Sequence, residues 1–139
     1  MDIDPATKPD VVASMTNMGD IGSFDTVYCS HALEHLYPHE VPIALAEFWR
    51  VLKPGGTLVV MVPDLEGVEP TERALPGMGL SGLHLFYGDA ARIKDAPYMA
   101  HHCGFVAETL GDALTATGFV EVETQRETLY NLLGIGRKE

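Results

Sequence analysis

The run Thr57-Leu58-Val59-Val60-Met61-Val62 constrains this chain more than any other feature. It is almost continuously apolar, with Lys53-Pro54-Gly55-Gly56 before it and Pro63-Asp64 after it. A short apolar run between turn signals predicts a strand covered on both faces, as in a parallel sheet. A parallel neighbour needs a crossover, and the sequence supplies one. Val41, Leu45, Phe48 and Leu52 recur at helical spacing, so a helix is predicted from about Pro38 to Leu52, with Glu40, Glu47 and Arg50 on its wetter face. Pro42 suits the first turn, and the Lys53–Gly56 segment stops the helix. Upstream, Phe24–Ser30 combines aromatic and β-branched residues after a Gly19–Ser23 turn and predicts a second strand, and Val11–Ala13 a short one. Downstream, a helix is predicted over Ala107–Thr117 with Gly118 as its stop. Val120, Val122 and Thr124 alternate with Glu121, Glu123 and Gln125, which predicts a strand with one wet face. Leu129–Ile135 predicts a last, buried strand. This order implies an α/β sheet that is mostly parallel with a C-terminal antiparallel strand pair. Residues 65–104 are broken by glycine and proline. They read as an insertion or substrate-side segment within a single domain, 1–139, and not as a second domain.

Charge narrows the partners. With 9 basic and 20 acidic side chains the net charge is −11, and such a surface repels nucleic-acid backbones and anionic membranes. No apolar run reaches the roughly 18 residues that span a bilayer. Cys29 and Cys103 form no disulfide framework, so a cytoplasmic setting is the expectation.

Open α/β sheets bind ligands beyond the carboxyl ends of their strands. Those ends are predicted at Asp2/Asp4, Ser14–Thr16, Ser30–Ala32 and Pro63/Asp64. Four segments carry a resemblance. They are Asp2-Ile3-Asp4-Pro5, the stretch Phe24–Leu36 (FDTVYCSHALEHL), the corner Phe48–Gly56 (FWRVLKPGG), and the Gly118-Phe119 turn with its two closing strands. In this order they resemble the class I S-adenosylmethionine-dependent methyltransferases, in particular methyltransferase type 11-like domains. The resemblance implies a Rossmann-like sheet and S-adenosylmethionine as cofactor. It implies that Asp2 or Asp4 accepts hydrogen bonds from the cofactor ribose, with register favouring Asp2. Ser14, Met15 and Thr16 would lie against the adenine, and Ser30, His31 and Ala32 would line the methionine end. The family's first strand and glycine-rich loop belong some ~20 residues upstream of the ribose acid. One residue precedes Asp2, so the expectation is a partial domain, N-terminally truncated, without that strand and loop, which binds the cofactor weakly or not at all. Gly77-Met78-Gly79-Leu80-Ser81-Gly82 spells G-x-G-x-x-G but follows no strand, and is not read as that loop.

His31-Ala32-Leu33-Glu34-His35 also spells the inverted zincin motif H-x-x-E-H. His31 directly follows a predicted strand and no third ligand is placed downstream, so a zinc hydrolase is set aside and no metal is expected. His101-His102-Cys103 reads as a loop or packing feature on the substrate side. His31 and His35 are the candidate catalytic residues, as general bases for an acceptor that must lose a proton. The function expected is methyl transfer to an unidentified, small-molecule acceptor. The alternative is a non-catalytic domain that serves as an interaction module or requires a partner strand. A vacancy beside Phe24–Ser30 would leave a bare strand edge, and a homodimer is expected to cover it.

Overall fold

The structure, a computed structural model, describes residues 1–139. Four strands, β1 (Phe24–Ser30), β2 (Leu52–Pro63), β3 (Val120–Glu127) and β4 (Asn131–Arg137), form one sheet in the order β1-β2-β4-β3. The apolar run is therefore central, parallel to β1 on one side and antiparallel to β4 on the other, while β3 pairs antiparallel to β4. This corrects the mostly parallel expectation: the sheet is mixed, and only the β1–β2 pairing is parallel. The closing hairpin places β4 directly against β2, and the N-terminal residues add no strand. Val11–Ala13 contributes a single bridge, Asp2 to Val12, because the surrounding turns leave it no longer partner. The last strand begins at Asn131 and not at Leu129, since Leu129 and Tyr130 turn through positive φ of 58° and 57°.

The helix predicted from Pro38 begins at Val41. Tyr37 and Glu40 close a turn ahead of it, with the Tyr37 N–H donating to Glu40 Oε2 at 2.9 Å. This helix, α1 (Val41–Val51), runs straight into β2. The corner needs Gly56: a Cβ there would sit 2.9 Å from the Lys53 carbonyl oxygen and 3.1 Å from that of Asp25. Lys138 locks the same corner from the far end of the chain. Its ammonium lies 3.9 Å above the Trp49 ring and donates to the carbonyls of Trp49 (2.8 Å) and Leu52 (2.6 Å), where the helix leaves its last acceptors unpaired.

Two short helices, α2 (Gly82–Tyr87) and α3 (Ala90–Ile93), and a 3-10 turn at Pro97–Met99 lie within residues 65–104. The fourth helix, α4 (Ala107–Thr117), ends at Gly118 with φ 107°. It contacts α1, β3 and β4. Ala44, Leu45, Phe48, Leu110 and Leu114 thereby close over Leu58, Val60, Val62 and Leu132 in one cluster. The expectation that β2 is covered on both faces is corrected. Leu58, Val60 and Val62 are fully buried on the helix side, whereas Thr57, Val59 and Met61 are half-buried on a face no helix covers. No helix is long and apolar enough to cross a membrane.

Candidate functional site

β1 delivers its last residue, Ser30, to the carboxyl edge of the sheet, and the chain then breaks direction at His31. The His31 N–H still donates to the Met61 carbonyl at 2.8 Å, but its φ is 48°, so the strand stops there. Leu33–His35 comes next as one turn of 3-10 helix, with Leu33 and Glu34 buried. Five residues in a strand end and a 3-10 turn are no α-helical H-x-x-E-H, and the zincin geometry is not formed. His31 Nδ1 instead faces Glu34 Oε1 at 3.4 Å. That carboxylate draws the His31 imidazole above its ordinary pKa, against a weaker opposing effect of burial.

Glu34 is the least expected member of the site. Its side chain is 2% exposed, and Oε2 has no hydrogen-bond partner. A buried carboxylate oxygen without a partner is costly and needs a compensating donor or cation. The Glu34 carbonyl accepts from His102 N (2.8 Å) and Cys103 N (3.3 Å), which draws the segment 100–103 against the turn. His35 Nδ1 donates to Ala100 O (3.2 Å), His101 Nδ1 to Leu85 O (2.8 Å), and the two rings meet edge to face with centroids 5.0 Å apart. A carbonyl only accepts, so both imidazoles carry their proton on Nδ1 and leave Nε2 free. Burial pushes His101 below the ordinary histidine pKa. His102 turns away, donating to the His35 carbonyl and stacking on Tyr37 at 4.2 Å.

These groups open onto a cavity of about 230 Å³ at the carboxyl ends of β1 and β2, whose lining includes His31, Glu34, His35, His84, His101, Met78, Leu80 and Leu129. Met78 and Leu80 come from the G-x-G-x-x-G stretch, which forms a tight turn closed by an Ala74–Ser81 bridge. Gly82 is there for close approach, since a Cβ would fall 1.8 Å from the Glu69 carbonyl oxygen. Pro63 also lines the cavity, but Asp64 is taken up by Arg126, whose Nε donates to its carboxylate. The thiols lie outside this chemistry: burial pushes Cys29 up to about 12 and Cys103 to about 11.

The remaining predicted positions form a separate group on the N-terminal ribbon. Asp2 bridges Val12, so the segments that end in Asp2–Asp4 and in Ser14–Thr16 lie side by side and point the same way. Asp2 Oδ1 accepts the Asp4 N–H at 2.9 Å. Asp4 is engaged twice, by the Tyr98 hydroxyl (2.7 Å) and by the Ala6 N–H (2.8 Å), and these donors, Tyr98 first, hold its carboxyl below the usual range. Ser14 and Thr16 share a hydroxyl hydrogen bond of 2.8 Å, and Met15 packs against the core, as does Ala32. The sequence reading missed His84 and the burial of Glu34. An acid placed directly after the apolar pair Ala32-Leu33 was the available signal for Glu34, whereas nothing local marks His84.

Residues 5–60 match the sequence profile of the methyltransferase domain family. A protein named "Probable methyltransferase ltbC", from Aspergillus luteorubrus, is 51% identical over 37 residues, which are 26% of this chain and 13% of that protein. Among solved structures, a 1,6-didemethyltoxoflavin-N1-methyltransferase from Burkholderia thailandensis, with 1,6-didemethyltoxoflavin and S-adenosylhomocysteine bound, superposes with a TM-score of 0.62 at 20% identity, over 92% of this chain and 49% of that one. Human N-acetylserotonin methyltransferase in complex with S-adenosylmethionine gives 0.60 at 11% identity, over 91% and 32%. The chain thus spans less than half the length of each of these relatives. The chain is thus similar in fold to these S-adenosylmethionine-dependent methyltransferases, and its residues 5–60 match the methyltransferase domain profile.

Proposed function

We propose that this chain forms the acceptor side and part of the cofactor side of an S-adenosylmethionine-dependent methyltransferase with a small-molecule acceptor. The observation that carries the reading is the cavity beyond the carboxyl ends of β1 and β2, where apolar walls meet a row of imidazoles. At about 230 Å³ it is smaller than most drug-sized pockets, which suits a compact acceptor or the reacting end of a longer one. The residues fit the cofactor in part. Asp2 offers a second carboxylate oxygen to the ribose hydroxyls, Ser14–Thr16 lie beside it for the adenine, and Ser30–Ala32 end β1 where the methionine portion would lie. The Asp4 carboxylate is held by Tyr98, which leaves Asp2 as the ribose ligand. When bound, the sulfonium cofactor supplies an electrophilic methyl group. The protein's task is then to hold the acceptor atom in line and dry. His31 and His35, with His101 beside them, are the groups able to hold a proton leaving that atom.

The same reading makes the molecule a homodimer through its bare β1 edge. Tyr28 is 62% and Phe24 40% exposed on that strand. The edge also suits the second reading, a non-catalytic module completed by a partner strand.

Calorimetric titration with S-adenosylmethionine, followed by transfer of a labelled methyl group to a panel of small hydroxylated and nitrogen-heterocyclic compounds, tests the first reading. The expected result is binding weaker than micromolar by the monomer, weaker again in Asp2→Asn, with transfer to at least one compound. Submicromolar binding by the monomer would overturn the partial pocket. No binding in any oligomeric state would overturn the function and favour the module.

A further inference from the structure

We propose that Glu34, His35 and His101 bind a divalent transition-metal ion of the zinc class. One ligating atom from each of these residues lies within 4.8 Å of the other two. Three further observations point the same way. Glu34 Oε2 is buried and unpartnered, and Glu34 lines the same cavity as both imidazoles. Each imidazole is bonded at Nδ1 to a backbone carbonyl, Ala100 for His35 and Leu85 for His101. That is how second-shell contacts fix the tautomer and ring orientation of a metal-bound histidine, with Nε2 presented to the ion.

The donor set selects the ion. Two neutral imidazole nitrogens and one carboxylate oxygen suit zinc and its neighbours, not magnesium or calcium, which take oxygen ligands. Donors on one zinc ion stand about 3–3.5 Å apart at bond lengths of ~2.0–2.2 Å, so side-chain shifts on the order of 1 Å close the site. Charge agrees. Glu34 Oε1 already has His31 at 3.4 Å, and the cation would answer the oxygen that has nothing.

Three protein ligands leave a coordination position open toward the cavity. If the cavity receives the acceptor, which rests on the function proposed above, that position takes the acceptor's oxygen or nitrogen. His35 and His101 Nε2 are then occupied by the ion, and His31 remains as the free imidazole.

The site is testable without methyl transfer. Zn²⁺ would be titrated into the protein in competition with a chromogenic chelator, in wild type, Glu34→Gln, His101→Ala and His39→Ala. His39 is exposed and absent from the cavity lining. One ion per chain is expected, with affinity at least about tenfold weaker in Glu34→Gln and His101→Ala and unchanged in His39→Ala. Excess Mg²⁺ should not displace it. Loading the wild type with Co²⁺ supplies a readout that needs no variant to fold: two exchangeable, paramagnetically shifted imidazole N–H signals, from the Nδ1 protons of His35 and His101. Binding equally affected by His39→Ala, displacement by Mg²⁺, or absence of the shifted signals would overturn the site and leave a hydrogen-bond network only.

Discussion

The two faces of β2 carry similar side chains in very different surroundings. On the helix side Leu58, Val60 and Val62 are 0% exposed, under α1 and α4. On the other side Val59 and Met61 are only half-buried, with Ile135 and Leu133 opposite them on β4 and Tyr28 beside Val59 on β1. The covered face is a finished core. The open face has a core's composition and no cover from this chain. A strand built for one-sided burial would alternate apolar with polar residues, as β3 does with its glutamates. The continuous run in β2 therefore describes a sheet meant to be sandwiched, and it is consistent with a chain that spans only part of its relatives' length.

The sharpest way to break this comparison is to remove matching side chains from both faces. Leu58→Ala should cost about 2–5 kcal/mol, through lost burial and the cavity left behind. Val59→Ala should cost about 1 kcal/mol or less, since half its surface is already wet. Urea unfolding midpoints read both. Equal losses would show that the open face is packed in solution, and the comparison would fail.

A second test concerns the edge between those faces. The His31 N–H faces β2, so by strand alternation those of Cys29 and Val27 do too, while that of Tyr28 faces outward. Tyr28→Pro therefore removes an edge donor and leaves the β1–β2 ladder whole. Light scattering at micromolar concentration should give twice the 15.1 kDa chain mass for the wild type and close to the single mass for Tyr28→Pro. A monomeric wild type with a slowly exchanging Tyr28 amide would mean that the edge is satisfied within one chain.

These tests also show which parts of the molecule were legible in sequence. Helical spacing at Val41, Leu45 and Phe48 and the stop at Gly118 are local signals, and both helices lie where they pointed, α1 starting three residues later than predicted. The direction of β4 relative to β2 is not local, since it depends on which edge the closing hairpin finds free, and the mostly parallel expectation failed there. The site divides in the same way. His31 and His35 were readable because the residues just past a strand's carboxyl end sit where open sheets bind ligands. Their grouping with Glu34, His84 and His101 depends on the fold of residues 65–104, where short helices start at caps such as Ser81 and Asp89 and show no hydrophobic period. The Lys138 lock on α1 was invisible for the same reason: 86 residues separate it from Leu52.

The smallest effect expected concerns how the ribbon carrying Asp2 and Ser14–Thr16 is held. Glu47 Oε2 accepts the Met18 N–H at 2.8 Å and its carboxylate also takes Arg50 in two bonds, while Arg50 reaches the Gly19 carbonyl at 2.8 Å. The Arg50 guanidinium first, and the Met18 amide second, hold the Glu47 carboxyl down at about 2, from an ordinary 4.5. A carboxyl depressed in the folded state stabilises it fully above the ordinary value, and that contribution is lost as pH falls from about 4.5 toward about 2. The ribbon should therefore loosen on acidification before the sheet does. Near neutral pH, Glu47→Gln should mimic the loss in part, speeding exchange of the Met18 amide by about fivefold or less, because the Arg50 guanidinium that pairs with the half-buried Glu47 carboxylate is exposed and screened. Exchange at Val60, inside the β2 ladder, should not change. If both amides speed up together, the ribbon and the sheet open as one unit, and the N-terminal segment is a more integral part of the fold than its single bridge to Val12 suggests.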